Sequence, residues 1–98
     1  MEINKKVDGQ KLELALTGRL DTTTAPMLES EVNASCDGIT ELVYDFTNLD
    51  YVSSAGLRVL LASQKIMNKQ GSMVVRNVKP EIMEVFELTG FTDILTIE

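Results

Sequence analysis

The apolar residues of this chain change period along its length, and that change restricts the fold more than any other feature. Leu12, Leu14 and Leu16 alternate with Glu13 and Ala15, the period-two pattern of a strand with one buried face. Asp8-Gly9 precedes them, a turn signal that pairs this strand antiparallel with a first one over residues 2–7, where Ile3 and Val7 are the buried candidates. Gly18 is read as the end of the second strand. The period then becomes helical: Ala25, Leu28 and Val32 share one face, with N-cap oxygens on offer from Thr22, Thr23 and Thr24 and with Pro26 suited to a first turn.

Leu42-Val43-Tyr44-Asp45-Phe46 is almost unbroken in its apolar character, which predicts a central strand buried on both faces. Residues 47–53 read as irregular. A second helix begins near Ser54, with a stripe of Leu57, Leu60, Leu61 and Ile66 or Met67, and stops at Gly71. Met73-Val74-Val75 is a short strand. Pro80 opens a third helix carrying Ile82, Val85, Phe86 and Thr89 on one face, with Gly90 as its stop. Ile94-Leu95-Thr96-Ile97 reads as a last short strand. The expected fold is α/β, in the order β-β-α-β-α-β-α-β, with a mixed, mostly parallel sheet, one antiparallel edge and helices packed on it. Whether the helices cover one face or both stays open.

With 98 residues, no repeat, no low-complexity tract and no linker, residues 1–98 read as a single domain. The chain is 44% hydrophobic and 24% charged, which suits a folded domain rather than a disordered one. Its net charge of −6 repels phosphate backbones, so nucleic acid is not an expected partner. No apolar run approaches the ~20 residues that span a bilayer, and no basic-then-apolar leader pattern stands at the start. The expected compartment is the cytoplasm, with no membrane insertion.

Catalytic chemistry has little to stand on. The chain has no histidine and one cysteine, Cys36, which removes Ser-His-Asp and Cys-His nucleophiles, His-based zinc sites and paired-cysteine sites. No phosphate-cradling glycine loop and no nucleophile elbow is present. Cys36 reads as a small, partly buried apolar residue at the end of the first helix. Asp21, Asp45 and Asp50 lie near predicted strand ends and read as loop and capping residues rather than metal ligands. Neither a catalytic residue, a metal nor a cofactor is expected, and the chain reads as a binding protein rather than an enzyme.

The informative stretch is Leu49-Asp50-Tyr51-Val52-Ser53-Ser54-Ala55-Gly56-Leu57-Arg58. It places two serines between a buried strand and an amphipathic helix, at the sheet edge where α/β proteins carry their sites. A hydroxyl there can cap free N–H groups, and the same position stabilises a phosphate through those N–H groups and the helix dipole. Chemistry alone leaves a plain serine cap and a regulatory serine both open. Ala55 and Gly56 are small enough for a partner's backbone to approach. Asp21 and Arg58 belong to the surrounding surface, while Leu57 reads as core.

Tyr51-Val52-Ser53-Ser54-Ala55-Gly56-Leu57 resembles the D-S-[STA]-G-L signature of the anti-sigma factor antagonists of the STAS family. Gly18-Arg19-Leu20-Asp21 with Ala25, Leu42 to Phe46 with Leu49, Gly71 with Met73-Val74-Val75, and Phe86 with Thr89-Gly90-Phe91 resemble further motifs of that family, in order along nearly the whole chain. The resemblance implies a STAS domain and a partner switch. The unphosphorylated form binds an anti-sigma factor that is also a serine kinase, and so releases a sigma factor. Phosphorylation ends the binding, and a PP2C-type phosphatase restores it. Aligned on Gly56, the phosphoacceptor falls on Ser54. Ser53 replaces the signature's aspartate and supplies a second hydroxyl, the alternative acceptor. The partner-binding residues expected on this face are Asp21, Ser53, Ser54, Ala55, Gly56 and Arg58, with a solvated structural role also open for Asp21 and Arg58. The same family also contains accessory subunits of transport or scaffold complexes that use this face without serine phosphorylation, which is the alternative function.

Overall fold

The computed structural model describes residues 1–98. Strands β1 (Glu2–Asp8) and β2 (Lys11–Leu20) form the antiparallel hairpin, followed by α1 (Ala25–Ser35), β3 (Glu41–Val52), α2 (Ser54–Gln70), β4 (Ser72–Arg76) and α3 (Pro80–Thr89). The sheet order is β1-β2-β3-β4, with β1–β2 antiparallel and the other two pairs parallel. The α/β class and the mixed, mostly parallel sheet with an antiparallel edge follow the sequence reading.

The helices share one face of the sheet. Leu12, Leu14 and Leu16 of β2, Leu42, Tyr44 and Phe46 of β3, and Met73 and Val75 of β4 form a continuous core with Leu28, Val32, Leu57, Leu60, Met67, Ile82 and Phe86 of the helices. Burying such side chains stabilises by roughly 1.5–3 kcal/mol each. Val43 is fully buried as well, but it lies outside that core. Its register partners are Glu13 and Val74, so neighbouring strands shield it where no helix does. The expectation that β3 is buried on both faces is met at Val43 by side chains of the sheet itself.

Several boundaries differ from the sequence reading. Gly18 does not end β2: the strand runs on to Leu20 and shifts register beside Gly18, whose φ is +103°, a conformation that favours glycine. Residues 47–52 are not irregular but continue β3, because β2 keeps pairing with them as Thr17 opposite Asn48, Gly18 opposite Leu49 and Leu20 opposite Val52. In α2 the buried stripe is Leu57, Val59, Leu60, Ser63, Gln64 and Met67, while Leu61 and Ile66 are half-buried. In α3 only Ile82 and Phe86 are buried, and Thr89 is exposed.

The last strand shrinks to a single parallel bridge between Val75 and Ile97. A 3-10 turn at Phe91–Asp93 uses the preceding residues, and the backbone ties of the chain end to β4 are Val75 N to Thr96 O and Glu98 N to Val75 O, both at 2.9 Å. No helix of the structure is long and apolar enough to cross a membrane.

Candidate functional site

The strand-to-helix junction after β3 is set by backbone before side chains. Ser53 N donates to Leu20 O at 2.8 Å, fastening the chain to the end of β2 just as it leaves the sheet. Ser53 has extended backbone and caps α2: its O accepts from Leu57 N at 2.9 Å, and its Oγ accepts from Gly56 N at 3.3 Å. One free N–H of the first turn is thereby satisfied. Gly56 is buried against β2. A Cβ there would lie 2.7 Å from Leu20 Cγ and 3.1 Å from Leu20 O. The small residue is thus required by packing inside the domain.

Ser54 is the first residue of α2 and is exposed, and it enters none of the side-chain hydrogen bonds of the chain. Ser53 is half-buried and its oxygen is in use. The two hydroxyls therefore differ: one is part of the scaffold and the other faces outward at the positive end of a 17-residue helix. Ala55 is half-buried, Leu57 is buried as expected, and Arg58 is exposed one turn further on.

Asp21 follows the last residue of β2. Its Oδ1 accepts from Thr23 N at 3.0 Å, Thr24 N at 3.1 Å and Thr24 Oγ1 at 3.2 Å. The threonines do not cap α1 with their hydroxyls. Thr24 Oγ1 turns back instead, donating to Arg19 O and accepting from Asp21 N, both at 2.8 Å. The bond from Thr24 N, with help from the Thr24 hydroxyl, Thr23 N and Arg19, holds the Asp21 carboxyl below its ordinary range against a smaller opposing effect of burial. Asp21 keeps its charge at neutral pH and shapes the turn beside Ser53.

Between α1 and α2, next to Ser54, lies a shallow concavity of about 190 Å³ lined by Thr22, Ala25, Pro26, Glu29, Ala55, Arg58 and Val59. On the sheet side, the Arg19 guanidinium lies 4.1 Å from the centre of the Tyr51 ring and 3.9 Å from Asp21. Sequence reasoning missed both features. Arg19 and Tyr51 are register partners only after two shifts in the β2–β3 pairing, and no local pattern announces those.

The other carboxylates serve local structure. Asp45 accepts from Thr47 Oγ1 at 2.6 Å, Thr47 N at 3.0 Å and Asn77 Nδ2 at 3.0 Å, and these bonds, the Thr47 hydroxyl foremost, hold its carboxyl low. Asp50 pairs with Lys79 at 2.5 Å. No group of three or more His, Cys, Asp or Glu is placed to hold a metal ion. Cys36 is buried at the end of α1, and burial pushes its thiol above the ordinary value, which makes it less reactive.

The frame is thus a helix-backed mixed sheet with a serine-capped helix starting where its central strand ends. The chain belongs to the STAS domain family, whose model matches residues 2–98. It is 42% identical over 94 residues to BtrV of Bordetella bronchiseptica, named as a candidate anti-sigma factor antagonist, covering 94% of this chain and 80% of that protein. In fold it resembles the anti-sigma factor antagonist SpoIIAA in its unphosphorylated form (TM-score 0.78, 16% identity, 99% of this chain and 87% of the other). It resembles the phosphorylated Bacillus SpoIIAA equally well (TM-score 0.77, 17% identity, 99% and 91%).

Proposed function

We propose that this chain is an anti-sigma factor antagonist of the cytoplasm, controlled by phosphorylation of Ser54. In its unphosphorylated form the edge around Asp21, Ser53, Ser54, Ala55 and Arg58 docks on an anti-sigma factor with serine kinase activity, and a sigma factor is released; Gly56, buried behind that edge, serves it by letting α2 pack against Leu20. The kinase then joins Ser54 Oγ to the γ-phosphorus of ATP. The bond from that phosphorus to ADP breaks, and the hydroxyl proton passes to a base of the kinase. A PP2C-type phosphatase reverses the modification.

The observation that carries this reading is the division of labour between the two serines. Ser53 Oγ caps the helix, while Ser54 Oγ is exposed and unengaged. A phosphate adds about −1.5 to −2 charges at pH 7. At a helix N-terminus that charge is tolerated by the fold, but inside a packed interface it is opposed by desolvation and by facing acidic groups. Switching is therefore local. The equal likeness to a relative's phosphorylated and unphosphorylated folds supports this.

Incubation with the cognate kinase and ATP tests the proposal. Intact-mass and fragment spectra should show one phosphate on Ser54, absent from Ser54→Ala. Full modification of Ser54→Ala together with none of Ser53→Ala overturns the assignment, and failure of the unmodified protein to bind any anti-sigma factor overturns the function.

A further inference from the structure

Three cations border this edge, and two of them are occupied. Arg19 stacks on Tyr51 and lies 3.9 Å from Asp21, and Lys79 holds Asp50. Arg58 is exposed and pairs with no carboxylate within 4.0 Å, although Glu29 lines the same concavity. It follows Ser54 by four residues in an unbroken helix. Side chains so spaced lie one above the other on one helix face, with Cβ atoms about 5–6 Å apart. Helical side chains lean toward the N-terminus, so Ser54 lies within the reach of a side chain as long as that of Arg58.

The neutral Ser54 hydroxyl makes little use of a guanidinium, whereas a phosphate on it would present three strong acceptor oxygens to a planar fork of donors. We propose that Arg58 is the intramolecular partner of the phosphate on Ser54. The inference rests on Ser54 being the phosphoacceptor and adds a second arm to the switch. The phosphate places a negative charge in the interface, and it also withdraws from the partner the one cation of this edge that is otherwise free. The two effects act together: the docked form loses a positive contact and gains a negative one. Arg58 is thus a positioning residue for the modified state, apart from any role in docking.

The test uses the full chain with phosphoserine incorporated at position 54 during translation, so no kinase is needed. Phosphorus NMR titration reads the second pKa of the phosphate. It should be lower by about 0.3 unit in the parent than in Arg58→Gln, with Arg58→Lys restoring part of the shift. The Arg58 Nε–H resonance of the parent should move on phosphorylation. A pKa unchanged by Arg58→Gln to within about 0.1 unit, a limit well below the shift expected of such a pair, overturns the pairing. Should that variant not fold, an unmoved Arg58 Nε–H signal in the parent does the same. Kinase transfer to Ser54 is measured separately, so failure of the phosphoacceptor assignment and failure of the pairing are distinguishable.

Discussion

Replacing Gly56 with alanine sets two effects of opposite sign against each other. Alanine in a helix is favoured over glycine by roughly 1 kcal/mol. Here, however, the new Cβ falls 2.7 Å from Leu20 Cγ, 3.0 Å from Leu20 Cδ2 and 3.1 Å from Leu20 O. Ordinary contact begins at 3.4 Å, so 3.4 − 2.7, about 0.7 Å, must be found by moving Leu20 or the first turn of α2. Leu20 is fully buried, so its side chain can move only against closely packed neighbours. Its carbonyl also holds Ser53 N, so moving the helix strains the bond that fixes the junction. Overpacking of this kind costs about 1–3 kcal/mol. With about 2 kcal/mol for the clash and about 1 returned by propensity, Gly56→Ala should lose about 1 kcal/mol net. In thermal unfolding that is a fall of about 4–8 °C for a domain of this size. Urea unfolding of the parent, Gly56→Ala, Leu20→Ala and the double variant gives the coupling directly. Gly56→Ala should be less harmful, or stabilising, once Leu20 is trimmed, though the carbonyl contact remains. A gain of about 1 kcal/mol in the parent background would show that no clash exists and refute the packing argument for this glycine.

Gln64 is buried, and its Oε1 has no hydrogen-bond partner while Nε2 donates to Asn68 Oδ1 at 2.8 Å. An unsatisfied buried acceptor costs about 1–3 kcal/mol and the half-exposed bond returns about 1. Gln64→Met should therefore raise the urea midpoint by the equivalent of about 1 kcal/mol, and a lower midpoint would contradict the account. Asp21 and Asp45 are both held below the ordinary 3.8 of their carboxyl groups. Each is charged and stabilising above the unfolded-state value of about 3.9, and its contribution fades as the pH falls through the lower folded-state value. Carboxyl carbon NMR titration should place both midpoints below 3.8. Asp45→Asn should lessen the acid dependence of stability, and an unchanged dependence would assign the effect to other groups.

The parts of the fold that were legible in the sequence are those where side-chain period and burial agree. Leu12, Leu14 and Leu16 could sit only on the inner face of a strand, and Ile82 and Phe86 fix the inner face of α3. The extension of β3 through Thr47-Asn48-Leu49-Asp50 was not legible, because polar residues there are held by backbone pairing with β2 rather than by their own strand preference. Nor was the turn before α1. Three threonines resemble caps in sequence, yet Asp21 reaches the same N–H groups with a charged acceptor and the Thr24 hydroxyl turns back to Arg19. At the site, the Ser53-Ser54 pair was visible as a motif. Which oxygen is engaged follows from the cap geometry alone, and the Arg19–Tyr51 stacking follows from long-range register.

The small bridge at Val75 carries weight beyond its length. A sheet left open along its last strand offers a row of unpaired N–H and C=O groups on which a foreign chain can assemble. Here the first strand meets solvent with Glu2, Lys5, Lys6 and Asp8, charges that discourage such growth. The opposite margin is guarded by two bonds from Thr96 and Glu98 to Val75, with Glu98 drawn in by Arg76 at 3.1 Å. Three returning residues thereby act as a stopper, and the sheet is closed to foreign strands at both margins while the start of α2 stays open.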